Sequence, residues 1–210
     1  LSGEIASELR QVDNALVTLA RSHWNAAGDN HRPDDQSMLL VQESLLPHVH
    51  AIHTTDADGE VSFPPTSQPV NVGDRDYFRD ARGKDQMALS APLVDRMTGQ
   101  WSVVVARQLL SRRNEFDGVV FATLTTEHFG AKFRKLEIGP SGTITLRNNA
   151  LQLLVRHAAN AATDADGDMG VAHVSAELRR AYAADARRGW FITRTSADGV
   201  ERLSAYQQVG

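Results

Sequence analysis

The chain has 210 residues, 41% of them hydrophobic and 23% charged, which is ordinary for a globular protein of one large domain or two small ones. A formal net charge of −4 argues against a nucleic-acid partner, and the absence of cysteine excludes disulfides, thiolate catalysis and cysteine-ligated zinc. No apolar run approaches the ~20 residues of a membrane span, and no signal peptide is visible. Because the chain begins with Leu1 rather than Met, we expect it to be part of a longer protein.

A long helix is predicted at the N-terminus, over residues 1–24. Its apolar residues recur at intervals of four, three, four and three positions, which is a heptad seam. The seam consists of Ile5, Leu9, Val12, Leu16 and Leu19. Because it is shorter than three heptads, two interpretations remain open: the helix packs lengthwise on its own domain, or it forms the seam of a homodimer. A second helix is predicted over residues 35–46, ended by Pro47.

The pattern then changes to short strands and tight turns. Four strands are predicted as two hairpins, residues 49–54 with 60–63 and residues 101–110 with 116–125. A helix over residues 74–82 separates the hairpins. Two antiparallel hairpins with a helix between them are typical of an α+β domain.

A smaller unit of the same kind is predicted to follow, with the boundary near residues 134–139. Its elements are strands over residues 142–147 and 151–157, a helix over 174–187, and strands over 190–195 and 200–208. Residues 52–61 and 192–200 both contain Ala-Asp-Gly before a strand. This weak internal repeat indicates two related sheet domains in tandem.

Two segments, residues 74–82 and 95–107, combine aromatic side chains with arginines. On the helix, Tyr77 and Phe78 point about 100° apart, so Tyr77 can face a pocket while Phe78 packs in the core. On the strand, Trp101 and Arg107 share one face because the side-chain period is two. Since arginine binds carboxylates bidentately, the segments predict a pocket for a small anionic or polar molecule. The alternative is that Trp101 closes the sheet edge and Arg107 lies at its rim.

Metal and catalytic sites have little support in the sequence. His48 and His50 share a strand face and need a third ligand to hold zinc, so an exposed strand face is the simpler interpretation. The loop 164–168 lacks the glycine and glutamate spacing of a calcium loop. Four acidic residues near the predicted pocket make hydrolysis conceivable: Asp74, Asp76, Asp80 and Asp95. No nucleophile with its base accompanies them, so we predict no catalytic residue, cofactor or metal.

Four segments carry a resemblance to a known family: residues 74–82 with their Tyr-Phe pair, 96–109 with Thr-Gly-Gln-Trp, 116–125 and 198–206. In these segments the chain resembles the double Cache (dCache, or PDC) family of bacterial extracytoplasmic sensor domains, and the likeness extends over nearly the whole chain. The family fold is a long N-terminal helix followed by two tandem PAS-like antiparallel-sheet subdomains. The resemblance implies three parts: a stalk helix at 1–35, a membrane-distal ligand-binding subdomain at 36–136 and a membrane-proximal subdomain at 137–210.

The resemblance also implies a function. Such a domain lies in the periplasm, anchored by membrane-spanning helices, and is not itself an enzyme. It binds a small molecule in the distal subdomain and signals to a cytoplasmic output domain such as a diguanylate cyclase, histidine kinase or chemoreceptor. Two other functions remain open: a cytoplasmic PAS- or GAF-like regulatory module, and a dimerisation or spacer domain with a vestigial pocket.

Carried over from the family, the ligand-binding residues are Tyr77, Arg82, Arg96, Trp101, Arg107 and Thr125. The chain departs from the family pattern at two places. Ala81 stands where related sequences often have histidine, and Thr125 with Thr126 replaces an acidic residue that is common in relatives that bind amino acids. The second departure favours a carboxylate or neutral polar ligand over one that is recognised by its ammonium group.

Overall fold

The computed structural model describes residues 1–26, 35–63, 69–159, 168–194 and 199–209. In chain order the elements are α1 (Ser2–Ala26), α2 (Asp35–Leu45), β1 (Ala51–Thr55), β2 (Val61–Phe63), α3 (Asp76–Ala81), β3 (Ala88–Leu89), β4 (Leu93–Val94), β5 (Trp101–Leu110), β6 (Phe116–Thr125), α4 (Thr126–Phe133), β7 (Thr143–Arg147), β8 (Leu153–Ala158), α5 (Ala176–Ala184), β9 (Arg188–Arg194) and β10 (Glu201–Gln207). The predicted α+β class, a long N-terminal helix ahead of antiparallel sheets, is confirmed.

The chain divides into two compact units. The first unit is Glu8–Thr126, and the second unit combines Leu1–Ser7 with Glu127–Gly210. The assignment of residues 36–136 and 137–210 to distal and proximal subdomains stays a prediction. Within the described ranges, no helix is long and apolar enough to cross a membrane.

A six-stranded antiparallel sheet forms the centre of the first unit. Its strand order is β2-β1-β6-β5-β3, and β4 also pairs with β5. Strands β5 and β6 are each ten residues long, and the valine-rich run Val103–Ala106 is buried throughout. Burial of successive residues means that both faces of this part of the sheet are covered. Where both faces are covered, a strand has a continuous apolar run rather than an alternating one.

Helix α1 has the predicted position, and its heptad residues face the chain itself. Ile5, Val12, Leu16 and Leu19 are all buried, and Leu9 is half-buried. Burial of this stripe within one chain agrees with lengthwise packing, the first of the two interpretations. A homodimer through α1 stays a prediction, and it has to use another face of the helix.

Helix α4 and the short strands β3 and β4 were not predicted from the sequence. Helix α4 begins directly after β6, at the second of two consecutive threonines, a residue type that favours strands over helices. Its signal is the spacing of Phe129 and Phe133, four positions apart and both buried, which places them on one helical face. Strands of two residues, such as β3 and β4, are too short to give a periodic pattern.

The second unit contains two separate two-stranded antiparallel sheets among its described residues, β7 with β8 and β9 with β10. Helix α5 is capped by the Ser175 hydroxyl, which accepts a hydrogen bond from the Leu178 amide at 3.1 Å. Exposure alternates along β9 and β10, so one face of this hairpin is open. Its open face carries Trp190, Ile192 and Leu203.

Candidate functional site

A small cavity lies in the first unit, between α3, the turn that joins β4 to β5, and the central sheet. Four polar residues line it: Arg75, Tyr77, Asp95 and Arg96. The rest of the lining is apolar and consists of Val72, Leu93, Met97, Val104 and Phe121. The free volume is about 10 Å³, which is room for about one water molecule. A larger molecule therefore requires the cavity to open.

The register of the sheet decides which side chains can reach this cavity. Val104 pairs with Thr123 and Ala106 with Phe121, so these side chains share the cavity face. Trp101 and Arg107 do lie on one face, as the period of two predicts, but it is the opposite face of β5. The expectation of a common pocket for these two residues is therefore not met by this cavity.

Tyr77 reaches the cavity from α3. Its side chain is only 3% exposed, and its ring centroid lies 5.4 Å from that of Phe121. Burial raises the pKa of the Tyr77 phenol, and the charges of Arg75 and Asp95 also act on it. The phenol is therefore protonated at neutral pH, and among the described residues its hydroxyl has no hydrogen-bond partner. A hydroxyl on a residue that lines a cavity is a ready donor or acceptor for a ligand.

Asp95 is a buried carboxylate, 4% exposed, at the start of the turn between β4 and β5. Its Oδ1 accepts hydrogen bonds from the amides of Met97 at 2.6 Å and Thr98 at 3.3 Å. The backbone closes the same turn, with the Gly99 amide donating to the Asp95 carbonyl at 2.9 Å. Its Oδ2 accepts no hydrogen bond from the part of the chain that the structure describes. One oxygen thus fixes the turn, and the other is available to a ligand.

Arg96 lies at the edge of the cavity in a bidentate ion pair. Its Nη1 donates to Asp74 Oδ1 at 2.6 Å and its Nη2 to Asp74 Oδ2 at 2.7 Å. Nη1 also donates to the carbonyl of Asn71 at 2.6 Å. Hydrogen bonds within the pair lower the pKa of Asp74 and raise the pKa of Arg96. Arg75, the second arginine of the lining, donates from Nη2 to the Val94 carbonyl at 3.1 Å.

Of the six predicted ligand contacts, the cavity brings together Tyr77 and Arg96. The guanidinium of Arg82 lies 4.8 Å from the centre of the Phe116 ring, outside the cavity lining. Trp101 begins β5 and Thr125 ends β6, and because Thr125 pairs with Ser102 both lie at one end of the sheet, outside the lining. A role of these residues, and of Arg107, as ligand contacts stays a prediction. Asp95 was noted in the sequence only as an acidic neighbour.

Arg107 is bound by helix α1 within the first unit. Its Nε donates to Asp13 Oδ1 at 2.7 Å and its Nη2 to Asp13 Oδ2 at 2.8 Å. The two side chains are 15% and 23% exposed. A planar fork of this kind joins α1 to β5 in a fixed geometry.

Replacing Asp13 with alanine should lower the free energy of unfolding of the first unit by about 1.5–3 kcal/mol, the range for hydrogen bonds to charged groups. Urea unfolding followed by circular dichroism measures this loss. The matched control is Asp80→Ala, because Asp80 forms an exposed pair with Lys84 at 3.6 Å and should change stability by less than about 0.5 kcal/mol. Equal losses in the two variants would mean that the Asp13–Arg107 fork does not hold α1 on the sheet.

The described residues bear on the zinc hypothesis at His48 and His50, but only in part on the calcium hypothesis for the loop 164–168. His48 is buried whereas His50 is exposed, so these residues do not form one accessible face. Among the described residues there is no group of three or more side chains able to hold a metal ion. Residues 164–167 of the acidic loop lie outside the described part of the chain.

No protein-family model matches the chain, and no curated protein sequence matches it significantly. Solved structures do match. The extracellular domain of rpHK1S-Z16, a protein assigned as a histidine kinase, has a TM-score of 0.79 at 24% identity, and the match covers 99% of this chain and 84% of that one. The chain has the fold of an extracytoplasmic sensor domain.

Two chemoreceptor ligand-binding domains share this sensor-domain fold at lower identity. That of Pseudomonas fluorescens CtaA, in complex with L-alanine, has a TM-score of 0.61 at 20% identity, covering 96% of this chain and 84% of that one. That of Campylobacter jejuni Tlp3, in complex with L-norvaline, has a TM-score of 0.63 at 12% identity, covering 94% of this chain and 80% of that one. The predicted likeness to extracytoplasmic sensors is thus confirmed at the level of the fold.

Proposed function

We propose that this protein is the periplasmic sensor domain of a membrane-anchored signalling receptor, and that it binds a small molecule in the cavity of the first unit. The observation that carries the proposal is the convergence of Tyr77, Asp95 and Arg96 on one cavity in a sensor-domain fold. A few polar groups that converge on an otherwise apolar cavity are the usual signature of a binding site. The output is a cytoplasmic domain of a histidine kinase, chemoreceptor or diguanylate cyclase.

The proposed ligand is a small amino acid or a close analogue. Arg75 and Arg96 offer donors for a carboxylate, and Asp95 Oδ2 offers an acceptor for an ammonium group. The replacement of the family's acidic residue by Thr125 argues against ammonium recognition, but the buried carboxylate of Asp95, from a different turn, can supply the missing negative charge. The amino-acid ligands of the CtaA and Tlp3 domains lend the proposal support.

Ligand binding in this site has to be coupled to opening. A cavity with room for about one water cannot hold an amino acid, so the ligand selects a conformation in which the lining has moved apart. The ligand can shift the balance between the closed and open forms only by its difference in affinity for them. This coupling is what allows occupancy to become a signal.

Binding of L-alanine, L-serine and L-norvaline is tested by thermal shift and isothermal titration calorimetry. Ligand at 100 times its Kd should stabilise the protein by roughly 2.7 kcal/mol. Propionate and ethylamine, each lacking one charge of L-alanine, should bind at least tenfold more weakly. Asp95→Asn should lose amino-acid binding while retaining the turn, because an amide oxygen can still accept from the Met97 amide.

The matched control for Asp95→Asn is Asp56→Asn. Asp56 also fixes a hairpin turn, with Oδ1 accepting from the amides of Asp58 at 3.0 Å and Glu60 at 2.8 Å, but it lies outside the cavity. Its variant should bind like the wild type. If neither variant changes binding, the ligand site is not this cavity.

A further inference from the structure

Asp74 binds the guanidinium of Arg96, which is the group that a carboxylate ligand would need. We infer that Asp74 is an internal substitute for the ligand's carboxylate: it holds the Arg96 guanidinium while the cavity is closed, and a carboxylate ligand binds by displacing it. The inference rests on the proposed function, since it names how that same site is regulated. It is carried by the geometry of the pair and by the place of Arg96 on the cavity wall.

Arg96 is fully engaged through the atoms that recognise carboxylates. Both terminal nitrogens donate to the two oxygens of Asp74, which is the fork geometry that arginine forms with a free carboxylate. A ligand carboxylate cannot bind Arg96 in this way while Asp74 is in place. Ligand and Asp74 are therefore alternatives at one binding position.

Displacement of Asp74 is feasible because the pair is open to water. The side chains of Arg96 and Asp74 are 39% and 63% exposed, so solvent screens the attraction between them even though the pair is bidentate. After leaving Arg96, the Asp74 carboxylate can be solvated where it stands. Buried carboxylates would not exchange so readily, because they lose their hydration.

The guanidinium keeps an anchor when Asp74 leaves. Nη1 of Arg96 donates to the Asn71 carbonyl at 2.6 Å, and this contact does not involve Asp74. Arg96 therefore stays at the cavity edge and can present Nη2 to an incoming carboxylate. The exchange therefore replaces the Asp74 carboxylate with the ligand's carboxylate, while the Arg96 guanidinium stays in place.

An internal competitor lowers the apparent affinity for any carboxylate in proportion to the time that it occupies the arginine. If Asp74 holds Arg96 for about nine-tenths of the time, its removal should tighten carboxylate binding about tenfold. Asp74→Asn removes the charge with little change in size. The matched control is Asp76→Asn, which removes the same charge two positions away and breaks the exposed Asp76–Arg79 pair instead.

The test is an acetate titration of the wild type, Asp74→Asn and Asp76→Asn, followed by NMR at the amides of Arg96 and Met97. We expect acetate to bind Asp74→Asn about tenfold more tightly than it binds the other two proteins, and the added substitution Arg96→Gln should abolish the response. Equal acetate affinity in all three proteins, or no acetate response at Arg96 in Asp74→Asn, would overturn the inference.

The two proposals can fail separately. If the wild type binds an amino acid in the cavity and Asp74→Asn binds it no more tightly, the role of Asp74 is wrong and the sensor function stands. If Asp74→Asn binds acetate at Arg96 but no amino acid binds any variant, the exchange is right and the proposed ligand class is wrong. Thermal unfolding of each variant checks that the first unit remains folded.

Discussion

Replacing Phe121 with alanine is expected to lower the free energy of unfolding of the first unit by about 3–5 kcal/mol. The side chain is 1% exposed and lies in the middle of β6, in the central sheet. Its ring centroid is 5.1 Å from that of His53 and 5.4 Å from that of Tyr77. Truncation removes both ring contacts and leaves a void that the sheet cannot fill, since its neighbours are held by strand pairing.

Urea unfolding of Phe121→Ala should show this loss as a lower midpoint with an unchanged slope. The control is Trp190→Ala, which truncates an aromatic side chain that is 69% exposed on β9 and should cost less than about 0.5 kcal/mol. A loss for Phe121→Ala as small as the loss for Trp190→Ala would contradict the assignment of Phe121 to the core.

Gly118→Ala is expected to lower the free energy of unfolding by about 2–5 kcal/mol, from backbone strain together with overpacking. Gly118 has a φ of +132°, which side-chain-bearing residues rarely adopt. A Cβ added there would lie 2.1 Å from the carbonyl oxygen of Thr55 and 2.8 Å from that of Asp56. These are backbone atoms at the end of β1, so relief of the clash requires the strands to separate.

The control for this substitution is Gly83→Ala. Gly83 also has a positive φ of +76°, but an added Cβ would meet nothing within 4 Å. Its loss should be limited to the conformational cost of about 1–2 kcal/mol. Urea unfolding and soluble yield measure both variants, and a Gly118→Ala protein as stable as Gly83→Ala would show that β1 and β6 do not approach each other as closely as described.

The longest elements could be predicted from the sequence because their signals are local. Strands β5 and β6 have the predicted limits, since each is a run of apolar and β-branched residues bounded by polar turns. Helix α1 is similarly defined by its heptad pattern. Helix α3 is shorter than predicted, Asp76–Ala81 rather than residues 74–82, because Arg82 at its end has an extended backbone.

The site could be predicted only in part, because the sequence does not show which face of a strand another element covers. The period of two placed Trp101 and Arg107 together, but tertiary packing puts α1 beside Arg107 and the cavity on the other face. Tyr77 and Arg96 could be predicted because the two segments that contain them, residues 74–82 and 95–107, combine aromatic side chains with arginine donors. The role of Asp95 depends on its burial, although the Asp-x-x-Thr-Gly sequence at 95–99 is a turn signal that could have indicated its fixed position.

Strand β5 offers a physical connection from the cavity to α1. Val104 lines the cavity, and three positions along the same strand Arg107 binds Asp13 of α1 on the opposite face. We propose that opening of the cavity alters the twist of β5 and so the position of α1. The heptad stripe of α1 is already buried, so this proposal requires no dimer seam along that stripe.

The most direct test of the account is an NMR titration of the protein with L-alanine, with the backbone amides assigned. We expect the largest saturable shifts at Tyr77 and Met97, which line the cavity, and at Thr98, whose amide donates to Asp95. These shifts should disappear in Asp95→Asn and persist in Asp56→Asn. Saturable shifts confined to the second unit, for example around Trp190, would contradict a ligand site in the first-unit cavity.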